Sequence, residues 1–599
     1  MAKKKSVKIE EKKAAVGRLQ KGITWNLSDP GMGLLERAGL AALYMSLRTA
    51  EELGMKSTLS PLSWSEDDLL PHSVTVRSTS DDRAAIAKLF EWAWQVRDGV
   101  LYLPAVHRAL EVRDNRHLRT SSHNGLFATF LQHPNTQPKL EREYHLVELR
   151  EDREILVSFE RPAERVDDVD GPLNPKTKRP HKKKVATSRL RPVEEAEKLT
   201  QKSGLFASAS VELSNWVYPG ISGRYGAETS WEASPELTLL VMLAPITCIF
   251  QQLHNERSSW AFVIPDVRNL EQFDEARNNP LVHGDPVWTD VASLGDAGLR
   301  FLSLYQTQKL RRELDGGCQV VAMGKVGYYQ SQSIRKGVVN IRPEERLLKR
   351  YRILERTLGN RWIPRKPQEV APSKGKTAKK KAAKAQGPRD EIPVAKGFVS
   401  VPTIRGRIAD NLIAGSPWYT DISTPPQWDL DKLEWQRKRQ PGKSIERLWF
   451  ESLRFSTGAL MALIAENDMW DDHNERDFVY ALWEVIGQLR SQEAKATERG
   501  GSRSTVDRII DLDESIQRDL MRARTAPLFR STMTEMLGKT VKHFRATKVQ
   551  ERPDLIWHLI DRDWKRGRDL ALLALASYEN KQKREARDAV NAAAGDEDT

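Results

Sequence analysis

Ala371-Pro372-Ser373-Lys374-Gly375-Lys376-Thr377-Ala378-Lys379-Lys380-Lys381-Ala382-Ala383-Lys384-Ala385-Gln386-Gly387-Pro388-Arg389-Asp390 holds six lysines and an arginine, and no apolar side chain larger than alanine. Such a stretch buries too little apolar surface to offset its chain entropy. Residues 371–395 are therefore predicted to be a solvated linker. Before it, short β-like runs alternate with helices. Beyond it, the pattern soon becomes almost wholly helical. The fold class read from this break is α+β, a mixed α/β N-terminal body followed by a C-terminal all-α helical bundle. The linker is either a plain tether or a tether whose lysines also touch nucleic-acid phosphate.

Composition sets the outer bounds. The chain has 599 residues and a formal net charge of +13. Its length suggests several domains, and its charge invites a nucleic acid or an anionic surface as partner. No apolar run reaches the roughly 18 residues of a spanning helix; the nearest, 237–250, is broken by Pro245 and reads as buried core. With only Cys248 and Cys318 there is no disulfide framework, which fits a cytoplasmic protein. Seventeen tryptophans exceed ordinary packing needs, so some are expected to offer stacking faces.

Working outward on the N-terminal side, residues 1–20 read as a disordered basic arm and 21–370 as the body. Helices are predicted over 34–48 and 84–96 from apolar positions three and four apart. Strands are predicted at 74–76, 100–103, within 144–159, at 260–264 and at 319–323. Residues 115–139 read as two polar, proline-set loops around a small apolar element, 126–131. Asn135 and Gln137 there can donate to phosphate or base edges. Residues 162–192 read as a basic loop, with Lys176, Lys178, Arg179, Lys182, Lys183 and Lys184 as a phosphate clamp. The aromatic, glycine-rich run 216–226 contributes Arg224 and Tyr225. A second glycine- and tyrosine-rich run, 324–337, reads as a loop facing nucleic acid and contributes Lys325, Tyr328, Gln330, Arg335 and Lys336. An ordinary structural turn explains 216–226 equally well.

On the C-terminal side, 396–443 reads as a connecting segment. Apolar residues recur at helical spacing from 444 to 580 and predict about five antiparallel helices, with a disordered tail at 581–599. No His-Glu-x-x-His, Cys-x-x-Cys, phosphate-binding Gly-x-x-x-x-Gly-Lys or Gly-x-Ser-x-Gly pattern occurs. Catalytic, metal and cofactor sites are therefore not expected, and the chain reads as a binding protein rather than an enzyme. Asp471-Asp472-His473 is the nearest approach to a metal-nuclease cluster.

Three short segments carry a family resemblance. Glu36-Arg37-Ala38-Gly39-Leu40-Ala41-Ala42-Leu43-Tyr44, Phe90-Glu91-Trp92-Ala93 and Phe130-Leu131-Gln132-His133-Pro134 resemble the Myxan-type large subunit of the type I CRISPR surveillance complex, Cascade. Asp410-Asn411-Leu412-Ile413-Ala414-Gly415-Ser416-Pro417-Trp418 and the helical C-terminus fit the same family. The resemblance implies a non-catalytic subunit lying near the 5′ handle of a guide RNA. It implies recognition of a protospacer-adjacent motif on target double-stranded DNA, help with R-loop formation, and recruitment of a helicase-nuclease or transposition effector. Further partners implied are the backbone and small subunits of Cascade, with no membrane. The 444–580 bundle is then small-subunit-like, and Met461 and Met469 are candidate internal starts for a separate small subunit. Two other readings stay open: a standalone nucleic-acid-binding regulator, and a metal nuclease centred on 471–473.

Overall fold

The structure is a computed structural model. It describes residues 19–97, 99–107, 116–129, 142–148, 154–160, 165–173, 180–187, 191–196, 199, 211–214, 230–254, 259–278, 290–306, 316–326, 329–364, 396–426, 429–498, 504–540 and 553–579. Residues 1–18 of the arm expected at 1–20, the whole lysine-rich stretch 371–395 and the tail 581–599 lie outside these residues; Leu19 and Gln20 instead begin a short helical turn, with Leu19 buried and its N–H donating to Asp82.

The body opens with a small antiparallel sheet of β1 (Ile23–Asn26), β2 (Leu62–Ser63), β3 (Leu69–Leu70) and β4 (Ser73–Ser78). Helix α1 (Leu34–Glu52) follows β1 and is buried on almost every side from Ala38 to Leu47. Its apolar residues do not form a single stripe because other elements cover it all round. At Gly39 a Cβ atom would lie 1.8 Å from the Leu240 carbonyl oxygen. Any side chain there would push α1 away from the helix that carries Leu240, which explains a glycine inside an otherwise continuous helix. Helix α2 (Asp82–Ala93) is capped by the Asp81 carboxylate, which accepts from the Arg83 backbone N–H. The hairpin β5 (Gln95–Arg97) and β6 (Val100–Tyr102) comes next.

The polar loops expected around 115–125 are instead a helix, α3 (Arg116–Thr129). Gly125 seats it directly on Phe250, where a Cβ would approach to 2.3 Å. The buried ring of His123 accepts the Leu101 backbone N–H at 3.2 Å. Burial on one face therefore overrides the weak helix propensity of Ser121, Ser122 and Asn124. Three hairpins follow: β7 (Arg142–Glu148) with β8 (Glu154–Glu160), β9 (Arg165–Leu173) with β10 (Pro180–Thr187), and β11 (Val211–Ser214) with β12 (Ser230–Ala233). The basic loop expected at 162–192 is thus largely a two-stranded ladder.

Helix α4 (Pro235–Leu243) is the partner of α1, with Ser234 as its N-cap. The main sheet has the order β15-β13-β14-β16-β17, from β13 (Ile249–Leu253), β14 (Ser259–Pro265), β15 (Asp290–Val291), β16 (Cys318–Val326) and β17 (Tyr329–Ile341). Only the β13–β15 pair is parallel. Helix α5 (Leu294–Gln306) packs on this sheet; Gly298 lets it approach Ile341 and Val320. Helix α6 (Glu345–Thr357) then leads to β18 (Arg361–Pro364).

β18 pairs antiparallel with β19 (Gly397–Ser400), and Pro364 stands opposite Gly397. The lysine-rich stretch therefore leaves the body and returns to it at the same point. Helix α7 (Thr403–Ile413) is packed into the body against α5 and α6. Ile404, Ile408 and Ala409 are buried there. Within the segment 396–443, expected only to connect body and bundle, α7 thus completes the body core.

Helix α8 (Leu430–Arg439) leads into the bundle. That comprises α9 (Ile445–Arg454), α10 (Thr457–Ala465), α11 (His473–Glu498), α12 (Thr505–Arg522), α13 (Ala526–Thr540), α14 (Pro553–Arg562) and α15 (Trp564–Ser577). Seven bundle helices stand among the described residues where about five were expected. The periodic run 445–464 is cut in two at Phe455, which is 89% exposed. The C-terminal run is cut by Asp563, whose carboxylate caps α15. Helix α15 is the bundle's axis: Leu570 to Ala576 are all buried, and α9 to α14 all pack on it except where they pack on one another. The α+β class holds, and no helix among the described residues is long and apolar enough to cross a membrane.

Candidate nucleic-acid interface

The β16–β17 hairpin gathers the predicted positions that sequence spacing alone could not bring together. Cys318 pairs with Ile341 at its base and Val326 with Tyr329 at its far end, with register irregularities after Ala322 and Lys325. Bulges of this kind re-aim one strand without ending the ladder. Lys325 lies on β16 opposite Ser333. Gln330, Arg335 and Lys336 lie on β17, with Arg335 opposite Met323. Tyr328 falls at the tip, outside the described residues. The expected loop over 324–337 is therefore a strand pair. The base of the hairpin is anchored in the core by buried Val320, Val321 and Met323. β17 is the edge strand of the main sheet among the described residues.

The β9–β10 hairpin holds Lys182, Lys183 and Lys184 on β10. Its register sets Lys182 opposite Asp170 and Lys184 opposite Asp168, and Val185 opposite Asp167. The partner strand thus carries three aspartates, Asp167, Asp168 and Asp170. Lys176, Lys178 and Arg179 lie between the two strands, outside the described residues. So do Asn135, Gln137, Arg224 and Tyr225.

Asp471, Asp472 and His473 sit where the body meets the bundle. Arg346 Nη2 reaches Asp471 Oδ1 at 2.6 Å, and Arg350 Nη2 reaches the same oxygen at 2.8 Å. Arg350 Nε also donates to the Asp468 carbonyl at 2.7 Å. Lys349 pairs with Asp468 at 2.8 Å and Arg356 with Glu466 at 2.5 Å. Four cations of α6 thus face three acids of the 466–471 segment. The hydrogen bond from Arg350 holds the Asp471 carboxyl below the usual range. Asp472 Oδ1 accepts the Asn474 backbone N–H at the start of α11. These carboxylates have structural partners, and no group of three or more potential metal ligands occurs among the described residues.

Behind this seam, Trp418 and Tyr419 pack on Trp470 with ring centroids 5.5 and 5.7 Å apart. Asn411 Nδ2 holds the turn by donating to the Trp418 and Thr420 carbonyls at 3.1 and 2.8 Å. Arg566 of α15 donates to the Tyr419 hydroxyl at 2.9 Å and pairs with buried Glu475. The 410–418 segment is therefore a clasp between α7 and the bundle.

Helix α8 was passed over in the sequence. It carries Trp435, 53% exposed, with the Arg439 guanidinium 3.8 Å from the ring centroid. Its signal was present in the run Trp435-Gln436-Arg437-Lys438-Arg439, but nothing in a sequence distinguishes an exposed tryptophan from a core one.

Comparison with known proteins bears on all of this. The DevT N-terminal domain model matches residues 24–164 and the DevT C-terminal domain model matches 466–599. The first covers β1 to β8, including Glu36–Tyr44 and Phe90–Ala93. The second begins at Glu466, the first acid of the seam. Along 589 residues the chain is 26% identical to a protein of Myxococcus xanthus (strain DK1622), CRISPR-associated protein Cas8a1/Csx13. That similarity covers 95% of this chain and 91% of the relative.

Proposed function

We propose, from the premise that this chain is a relative of the Myxan-type large subunit, that it is a subunit of a type I CRISPR RNA-guided surveillance complex. The observation that carries this is the end-to-end similarity, with both DevT models matched at the two ends of one chain. In the complex it lies near the 5′ handle of the guide RNA, with the backbone and small subunits around it. Its target is double-stranded DNA, and it recognises the protospacer-adjacent motif, assists R-loop formation and recruits a downstream effector, either a helicase-nuclease or a transposition module. Sequence reading in such complexes falls mainly to the guide RNA, so the protein needs basic arms and a few polar fingers rather than a catalytic centre.

The β16–β17 arm is the best-supported motif reader. The pairing of β16 with β17 sets Lys325, Gln330, Arg335 and Lys336 on one strand pair whose base carries buried Val320, Val321 and Met323, and their chemistry suits base edges and phosphate. Asn135, Gln137, Arg224, Tyr225 and Tyr328 are assigned to the same contact on their chemistry alone. The lysines and arginine of 176–184 are assigned to phosphate on their charge.

Two experiments test this reading. Tagged protein is isolated and its companions identified: guide RNA and backbone subunits are expected, and a free dimer without RNA overturns the assignment in favour of a standalone regulator. Then Arg335→Ala/Lys336→Ala is compared with wild type in duplex binding across salt. Each lost phosphate contact lowers the slope of log affinity on log salt by about 1. Unchanged affinity at low and moderate salt removes both residues from the interface.

A further inference from the structure

We infer that the solvent face of α8 is a binding platform for single-stranded nucleic acid, centred on Trp435. It belongs to neither DevT match and to none of the positions assigned above.

The helix is fixed from below. Leu433 is 3% exposed and Leu430 half-buried, and α8 packs on α9. With 100° per residue, Trp435 falls on the opposite side from Leu433. Its neighbours at three and four residues are Asp431, Lys432, Lys438 and Arg439, and the three cations are exposed. Arg437, also exposed, completes the C-terminal turn. Arg437 and Lys438 form no ion pair among the described residues, while Lys432 shares its field with buried Asp429 beneath it. Two acids lie on the same helix, Asp431 four residues before the indole and Glu434 one residue before it.

Cations in a last helical turn are ordinarily explained by the helix dipole. That explanation covers Arg437, Lys438 and Arg439 but not the indole. A tryptophan half out in water, with core positions available one residue away on the same short helix, leaves apolar area uncovered. Arg439 covers part of it at 3.8 Å, and this also fixes the ring, since a guanidinium stacks flat on an indole. The partner that fits is flat, aromatic and joined to negative charge at short intervals. An unstacked base with its phosphates meets each demand. A duplex meets only the charge, because its base faces are hidden.

The test uses the full chain and a dye-labelled oligothymidine of roughly 15 nucleotides, within single-strand site sizes. Trp435→Ala is expected to weaken binding by about five- to a hundred-fold and Trp435→Phe to restore most of it. Arg437→Ala/Lys438→Ala/Arg439→Ala is expected to lower the salt slope by about 2, the value for three cations on a single strand. Trp435→Ala is expected to leave duplex binding, which stays with the β16–β17 arm, unaffected. No oligothymidine binding by the wild type overturns the platform, as does equal binding by Trp435→Ala and wild type. Because α8 and the β16–β17 arm are read with different probes, failure of one leaves the other standing.

Discussion

Arg405, on α7 beyond the lysine-rich stretch, holds Asp296, on α5 before it, through Nε at 2.9 Å and Nη2 at 2.8 Å to one carboxylate oxygen, and both side chains are fully buried. Tyr351 donates to the other Asp296 oxygen at 2.7 Å, and Arg300 joins the cluster to Glu355. Burial alone would push the Asp296 carboxyl up; Arg405 and Arg300 outweigh it and keep the group charged. Three helices from either side of residues 371–395 thus share one buried ion cluster. Arg405→Ala strands a buried carboxylate, and an uncompensated buried charge costs about 3–5 kcal/mol. Denaturant unfolding should show a midpoint shift of that size. A loss below about 1 kcal/mol, the scale of an exposed pair, would mean that α7 is not seated as described.

Since Pro364 and Gly397 are antiparallel partners, replacing 371–390 by a short Gly/Ser turn joins neighbouring strand ends. Loop-closure cost changes only slowly with length, by about 0.6 kcal/mol per doubling. Thermal stability should therefore stay at the wild-type value or rise slightly. If the lysines touch phosphate, duplex affinity falls with a reduced salt slope. A version keeping the charge in a shorter loop should keep that affinity. If instead the shortened chain loses stability, the stretch carries packing that its composition hides.

Stability should rise on mild acidification. Burial pushes the carboxyls of Asp410, Asp429 and Asp569 each up to about 6. A raised acid binds its proton more tightly when folded. Its contribution is complete below the unfolded value near 4 and is lost as pH rises through about 6. Two units correspond to about 2–3 kcal/mol for each such group. Asp68, drawn down to about 2 by Arg77 and Ser65, acts only below that window. Asp429→Asn should accordingly stabilise the protein at pH 7, by progressively less as pH falls through about 6, and lose its advantage below about pH 4. A pH-independent effect would place the gain in packing rather than titration.

Legibility in the sequence followed one rule: apolar periodicity survived and charged or glycine-rich pattern did not. Leu34 to Arg48 and Trp260 to Ile264 are found where their side chains predict, because burial and local period agree there. The hairpin at 165–187 and the strand at 329–341 were not legible. Their strands are built by a backbone ladder, and residues such as Asp167, Lys183 and Ser333 carry no alternation to betray it. The break at Phe455 was hidden because the apolar spacing of Leu448, Leu453, Leu460 and Ile464 continues across it, while Phe455 itself is exposed. At the candidate interface, Lys325, Gln330, Arg335 and Lys336 were picked for chemistry, and the register of β16 on β17 supplied the neighbourhood. Trp435 was missed because exposure is a property of the fold around a residue.

The two candidate internal starts differ in what they would leave. Met461 lies within α10, so a product from it would begin inside a helix. Met469 lies four residues before α11, and a product from it keeps α11 to α15 whole. It begins three residues after the DevT C-terminal match opens. Such a product loses α9 and α10 and with them cover for α15, whose Leu570, Leu572 and Leu573 are buried in the full chain. It also brings Asp471 without Arg346 and Arg350. Both losses favour a product that docks on a second surface rather than standing alone. Silencing Met469 as a start should abolish a small band identified by mass spectrometry, while silencing Met461 should leave it. If the unaltered gene yields no short product, the bundle acts only within the full chain, and the α6 cations remain its permanent partners.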